Sequence, residues 1–142
     1  MIATLRLLHV LLGVAAVAIC LSIVFLGPAA TAGFSESLFD ALTGSSHPGS
    51  GAWPPTMDSE LRFYAPFWGA YGLALLHIAR RLPATLGWVP PAAALFFAGG
   101  VGRAISYVAV GAPHPFFVLL MAIELLLPAA FLVLWRMARP AA

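Results

Sequence analysis

The chain has 142 residues, of which 62% are hydrophobic and 8% are charged. A soluble domain of this size needs far more surface charge, so the composition is typical of a membrane protein. The seven basic residues are all arginine and give a net charge of +2, which is too small and too scattered for nucleic-acid binding.

Four apolar segments are long enough to cross a bilayer as helices, which takes ~20 residues each. Proline and glycine interrupt the chain between them. The segments are about 5–27, 60–79, 91–111 and 115–136. We therefore predict an all-α fold class, a polytopic membrane protein in which residues 1–142 form a single domain. Its core would be an antiparallel bundle of four transmembrane helices.

The first segment also has the three parts of a cleavable signal peptide: Arg6, an apolar run and then Ala30-Thr31-Ala32. Its apolar run is longer than a usual signal core, so we expect an uncleaved helix. Cys20 lies within this run and is the single cysteine of the chain. One cysteine excludes intrachain disulfides and Cys-x-x-Cys chemistry, and we expect it to pack or to face lipid.

Residues 28–59 form the longest connection, which we expect outside the membrane. Four apolar residues of this connection share one helical face: Phe34, Leu38, Phe39 and Leu42. The pattern predicts a short amphipathic helix on the outer membrane surface. The following GSSHPGSGAWPP is rich in turn residues, and its Trp53 suits an interface anchor. The connection fits either a capping helix with a loop, or a lid or docking surface.

The second span begins in the stretch DSELRFYAPFWGAYG, residues 58–72. Asp58, Glu60 and Arg62 lie at its outer boundary, where water still reaches them. Deeper in the span, three aromatic residues share one helical face: Tyr64, Trp68 and Tyr71. Such residues are more often packing residues than a ligand cage, but beside a buried ion pair they would line a pocket.

The third and fourth spans each carry one deeply placed charge, Arg103 and Glu124. Counted from the turn at 111–115, each lies roughly 12 to 14 Å deep at ~1.5 Å rise per residue. An unpaired charge there costs from ~2.5 to more than ~10 kcal/mol, so we expect a direct or water-bridged pair. Ser106 and Tyr107 share the face of Arg103 and complete the predicted polar cluster.

Two interpretations of this pair stay open. Gly99 and Gly102 lie on the same helical face as Arg103 and predict the close approach of another helix. The pair would then fix the register of two helices and do nothing more. Ionisable groups within a membrane also mark binding sites.

Histidines and catalytic motifs give weaker indications. His9 and His77 lie near the cytoplasmic ends of antiparallel spans, where two imidazoles would suit a haem, although interfacial hydrogen bonding is commoner. His47 and His114 lie outside, and no carboxylate or cysteine spacing supports a metal site there. The sequence contains no nucleotide-binding glycine loop, Ser-His-Asp constellation or metalloprotease helix, so it predicts no catalytic residue and favours a protein that is not an enzyme.

The arginines predict the orientation, because positively charged loops stay in the cytoplasm. With both termini inside, five of the seven fall on the cytoplasmic side: Arg6, Arg80, Arg81, Arg136 and Arg139. The connection 28–59 contains no arginine. We expect a multi-pass protein of the bacterial inner membrane with both termini cytoplasmic.

Three motifs in chain order, DSELRFYAPFWGAYG, GRAIS and GAPHP followed by MAIELLLP, resemble a family of small bacterial membrane proteins, domain of unknown function family 4345. The resemblance extends over most of the chain and implies four membrane helices but no activity. The matching positions are Asp58, Glu60, Arg62, Gly102, Arg103, Ser106 and Glu124. The architecture is also similar to that of DoxX-like proteins, some of which accompany quinone-linked oxidoreductases.

We therefore expect a non-enzymatic membrane protein whose polar cluster binds the head group of a lipophilic molecule, such as a quinone or a lipid. Arg103 would bind the head group, and Glu124, Tyr107 and Tyr71 would orient it. The alternatives are an accessory subunit of a larger membrane complex, a homo-oligomer and, more weakly, a haem protein or membrane oxidoreductase. The lipid bilayer is the one partner common to all of them.

Overall fold

Proline and glycine set the limits of the helices. In the computed structural model, which describes residues 1–139, these residues form five α-helices and no strand, as the predicted all-α class requires. Proline occupies the first turn of the second to fifth helices, where its missing N–H costs no hydrogen bond. The helices are α1 (Ile2–Leu26), α2 (Pro28–Thr43), α3 (Pro55–Arg81), α4 (Val89–Val110) and α5 (Pro115–Ala138).

Three of these helices are long and apolar enough to cross a membrane: α1, the segment Leu86–Val110 that contains α4, and α5. The prediction of four such helices is therefore wrong by length and composition. The helix that fails is α3, the longest, because charged residues occupy both its ends: Asp58, Glu60, Arg62, Arg80 and Arg81. The uncharged run between them, 63–79, also includes a proline and several polar aromatic residues.

The first hairpin of the bundle pairs α1 with α3, which lie antiparallel and in close contact. A Cβ atom at Gly72 would lie 2.8 Å from the carbonyl oxygen of Gly13, and one at Gly13 would lie 2.9 Å from that of Gly72. Farther along, a Cβ at Gly69 would lie 2.7 Å from the sulfur of Cys20. Glycine is therefore what lets the two backbones approach, and Cys20 serves as a packing residue.

Arginine side chains close both ends of this pair. Near the start of α1, Arg6 donates to the carbonyl oxygens of Ala79 (3.0 Å) and Leu82 (2.9 Å) at the end of α3. Near the start of α3, Arg62 donates to the carbonyl of Val24 at the end of α1. The last carbonyls of a helix have no partner within it and attract cations. Each helix thus supplies a cation to the other's C-terminus.

We expect Arg62→Met to lower the free energy of unfolding by about 1–2 kcal/mol. The carbonyl of Val24 then loses its donor, and the Asp58 carboxylate, whose Oδ1 lies 2.7 Å from Arg62 Nε, loses its ion-pair partner. The measurement is loss of helical circular dichroism as SDS is added to protein in a mild detergent. Glu60→Gln is the matched control, because Glu60 is exposed on the same helix. Equal stability of the two variants would contradict this role of Arg62.

The second hairpin consists of α4 and α5, and it packs against the first through the half of the bundle that holds both described termini. We call this half the terminal end and the opposite one the α2 end. One apolar cluster at the terminal end contains residues of four helices and of the turn after α3: Leu5, Ile78, Leu82, Val89, Ala93 and Phe131. Apolar burial of this kind, at ~25 cal/mol per Å² where it removes surface from water, joins the two hairpins.

Candidate functional site

The α4–α5 contact depends on a glycine that the sequence analysis did not select. A Cβ at Gly100 would lie 3.0 Å from the Cβ of Glu124 and 3.0 Å from Leu125, whereas one at Gly99 would lie 3.7 Å from a carboxylate oxygen of Glu124. Gly102 was expected at this contact, but a Cβ placed there would have no atom of another element within 4 Å among residues 1–139. The helix is rotated so that Gly100, and not Gly102, faces α5.

Arg103 and Glu124 form a direct ion pair between α4 and α5. The guanidinium donates through Nε to Oε2 of Glu124 at 2.8 Å, and its carbon lies 5.9 Å from the centre of the Phe117 ring. The Glu124 side chain is 8% exposed and that of Arg103 is 39% exposed. The pair is therefore buried on the carboxylate side and open on the guanidinium side. Within residues 1–139, the terminal nitrogens of Arg103 make no hydrogen bond.

The open side of Arg103 faces a cavity of about 260 Å³, which we call the Arg103 cavity. It contains Ser106 and Tyr107, two members of the predicted cluster. Phe117 and Met121 line it from α5, and Trp53 reaches it from the loop after α2. A donor, two hydroxyls and apolar walls thus meet at the α2 end of the second hairpin.

The aromatic residues of α3 do not join this cavity. The Tyr71 hydroxyl donates to the carbonyl of Ala92 at 2.9 Å, near the opposite end of α4 from Arg103. Trp68 and Phe96 stack on the Tyr71 ring with centroids 5.3 and 6.4 Å away. Tyr64 is exposed. The structure therefore places Tyr71 and Trp68 in the packing between the hairpins, and Tyr64 on the bundle surface.

The two histidines considered for haem differ in environment. His9 is buried against the Phe131 ring, with centroids 4.7 Å apart, and its Nδ1 lies 2.8 Å from the carbonyl oxygen of Leu5. His77 is exposed on α3. One imidazole points into the bundle and the other out of it, so they do not share a space for one haem.

At the α2 end, the loop after α2 is bound to that helix through two carboxylates. The buried Glu36 accepts from the backbone N–H of Ser50 at 3.0 Å and from its hydroxyl. Asp40 accepts from the backbone N–H of His47 at 2.8 Å and pairs with its Nδ1 at 2.7 Å. The hydrogen bond from the His47 side chain lowers the pKa of Asp40 to about 2.

A third residue, His114, joins Asp40 and His47 from the turn between α4 and α5. Its Nε2 lies 3.4 Å from Oδ1 of Asp40, and the two imidazole centres are 5.1 Å apart. We call these three residues the α2-end cluster. The prediction that no carboxylate supports a metal site beside His47 and His114 is therefore wrong. Asp40 lies on α2, seven positions before His47, and both α3 and α4 separate this pair from His114 in the chain. The available signal was that acidic and histidine residues collect on a side with few arginines.

The Domain of unknown function (DUF4345) matches residues 4–135 of this chain. No curated protein and no solved structure matches the sequence significantly. The matched range covers α3, α4 and nearly all of α5, and therefore all the positions that carried the sequence motifs. The chain belongs to the family described as Domain of unknown function (DUF4345).

Proposed function

We propose that the protein crosses the bacterial inner membrane four times, through α1, α3, α4 and α5, with α2 on the outer surface and both termini in the cytoplasm. The support for α3 is its pairing with α1 along nearly the full length, from Arg6 at one end to Arg62 at the other. A helix that runs beside a spanning helix shares its depth. Arg80 and Arg81 then lie in the cytoplasm, as the charge distribution favours.

The surface of the bundle supports a lipid environment. Large apolar side chains are exposed on every spanning helix, for example Leu11, Leu73, Leu95 and Leu126. On α2, Phe34, Leu38 and Leu42 are exposed as well, while Glu36 faces inward. An apolar face on a short helix at the end of a bundle suits the membrane interface.

We propose that the Arg103 cavity binds the polar head group of a lipophilic molecule, such as a quinone or a lipid, and that the protein is not an enzyme. The observation that carries this proposal is that the two sides of the Arg103 guanidinium have different surroundings. Its Nε is bound to Glu124, while the rest of the group lines the cavity beside Ser106 and Tyr107. An ion pair that only fixes the register of two helices needs no cavity on its exposed side.

The ion pair favours a carbonyl oxygen as the acceptor that enters the cavity. Glu124 already balances the charge of Arg103, so an anionic head group would leave the site with a net negative charge at low dielectric. A carbonyl accepts from the guanidinium and hydroxyl donors without adding charge. Quinones and lipid esters both supply such an oxygen on an apolar body, which Phe117 and Met121 would contact.

Quinone binding can be measured in lipid nanodiscs with Trp53 as the reporter, because Trp53 lines the cavity. The other three tryptophans are removed by the substitutions Trp68→Phe, Trp88→Phe and Trp135→Phe. In this background we expect decylubiquinone to quench the Trp53 emission saturably. The double variant Arg103→Gln with Glu124→Gln strands neither charge, and we expect it to weaken binding by about tenfold or more. Unchanged affinity in this variant would refute binding by Arg103.

An accessory subunit of a larger membrane complex is the second candidate function. The α2-end half of α4 leaves Ile105, Val108 and Val110 exposed, and a partner helix would cover this face as well as lipid does. Extraction of native membranes in a mild detergent distinguishes the two. A large hetero-complex favours the subunit, and a monomer or homodimer favours the binding protein.

A further inference from the structure

A second cavity, of about 320 Å³, lies at the α2 end and is lined by acidic and imidazole groups. Its charged or titratable residues are Glu36, Asp40, His47 and His114. Among the described residues that line it are two carboxylates and no arginine, so its local charge is negative. Charge of this sign favours a cation as the occupant.

The His114 side chain brings a buried nitrogen without a hydrogen-bond partner to this cavity. It is 2% exposed, and its Nε2 has no hydrogen-bond partner within the part of the chain that the structure describes. A buried polar nitrogen without a partner destabilises the fold, because it has lost its hydrogen bonds to water and gained none. This nitrogen faces Asp40 across 3.4 Å in the same cavity. A ligand between the two groups would satisfy both.

We propose that Asp40, His47 and His114 bind one divalent transition-metal ion, with Zn²⁺ as the best fit. One potential ligand atom from each residue lies within 4.8 Å of the others. Bonds of ~2.0–2.2 Å at tetrahedral angles place two ligand atoms ~3.3–3.6 Å apart. The separation of 3.4 Å between Asp40 Oδ1 and His114 Nε2 meets this requirement. Three protein ligands leave a fourth position for water.

The His47 ring must move away from Asp40 before all three residues can bind the same ion. Its Nδ1 lies 2.7 Å from Asp40 Oδ1, which is a hydrogen-bond length and too short for two ligands of one ion. His47 is exposed and lies in the loop after α2, so its ring can turn. The ligand chemistry also selects the ion, because imidazole suits zinc, copper and nickel, whereas Mg²⁺ and Ca²⁺ require oxygen ligands.

Metal binding also requires a change of tautomer in His114. Its Nδ1 accepts from the backbone N–H of Phe116 at 3.2 Å, which places the proton of the neutral ring on Nε2. Coordination through Nε2 moves that proton to Nδ1 and gives up this contact at the start of α5. The loss of this one hydrogen bond opposes coordination, and the bonds from three side chains to the metal act against that loss.

The test uses the full chain without a polyhistidine tag, stripped with EDTA and placed in lipid nanodiscs. Calorimetric titration with ZnCl₂ is expected to give one ion per chain, and MgCl₂ no heat. His47→Ala and Asp40→Asn are each expected to weaken Zn²⁺ binding by about tenfold or more. Because His47 is exposed, its variant is expected to keep the helical circular dichroism of the parent. His77→Ala, at the other end of the bundle, is the matched control.

Nitrogen NMR of protein labelled with ¹⁵N-histidine gives an independent readout. Zinc is expected to move the proton of His114 from Nε2 to Nδ1, while the His9 and His77 signals stay unchanged. The proposal is refuted if zinc does not bind, or if His47→Ala binds it as tightly as the parent. Binding that is lost in His77→Ala would also refute it, because that residue is remote from the cluster.

Discussion

Arg103→Met is expected to destabilise the protein by about 3–5 kcal/mol, the range observed when one partner of a buried ion pair is removed. The reason is the asymmetry of the pair. The Glu124 side chain is 8% exposed, and its carboxylate lies against α4 at Gly99, so it is left largely buried and without its partner when the guanidinium is lost. The measurement is the free energy of unfolding in a mild detergent as SDS is added.

A double-mutant cycle separates this effect from lost packing. Glu124→Gln is expected to cost less than Arg103→Met, because the guanidinium is 39% exposed and remains partly solvated. The variant with both changes is expected to recover much of the loss, since neither charge is then stranded. If the two single effects simply add, Arg103 and Glu124 are not coupled, and the pair does not stabilise the α4–α5 contact.

Gly72→Val is expected to cost about 1–3 kcal/mol or more by overpacking. A Cβ at this position would lie 2.8 Å from the carbonyl oxygen of Gly13, and that oxygen belongs to the α1 backbone and cannot turn aside. The two helices must separate to admit the side chain. Arg6 and Arg62, which donate across the two ends of the same pair, would then lose their geometry as well.

Gly102→Ala is the matched control for this substitution, because in the described part of the chain a Cβ there would touch no other helix within 4 Å. It is expected to be neutral or to stabilise α4 by roughly 0.5–1 kcal/mol, the usual gain of alanine over glycine inside a helix. The same unfolding measurement applies to both variants. If Gly102→Ala proved as harmful as Gly72→Val, the effect would come from the loss of glycine as such and not from the α1–α3 contact.

The stability of the α1–α3 hairpin and that of the α4–α5 hairpin are thus expected to respond to different residues.

Both proposed sites involve the loop after α2. Ser50 of this loop is bonded to Glu36 and lines both cavities, and Trp53 lines the Arg103 cavity. This turn-rich loop therefore forms part of the walls of both cavities.

Position along the helix axes is what the sequence by itself determined. A helix rises ~1.5 Å per residue, so counting from the turn at 111–115 was enough to place Arg103 and Glu124 at one level of the α4–α5 hairpin, and the structure joins them at 2.8 Å. Proline and glycine likewise marked most helix limits, because their backbone constraints are local. Composition indicated the membrane, and the motif residues indicated the family.

The rotation of each helix about its axis, and which helices are neighbours, were decided only by the tertiary structure. Sequence periodicity shows which residues share a face but not which helix that face meets, so Gly100 replaced Gly102 at the α5 contact and Tyr71 bonded to Ala92. Arg62 was assigned to water because its carbonyl partner, Val24, lies on another helix. The α2-end cluster joins residues far apart in the chain, and such long-range contacts depend on how helices pack rather than on any local pattern.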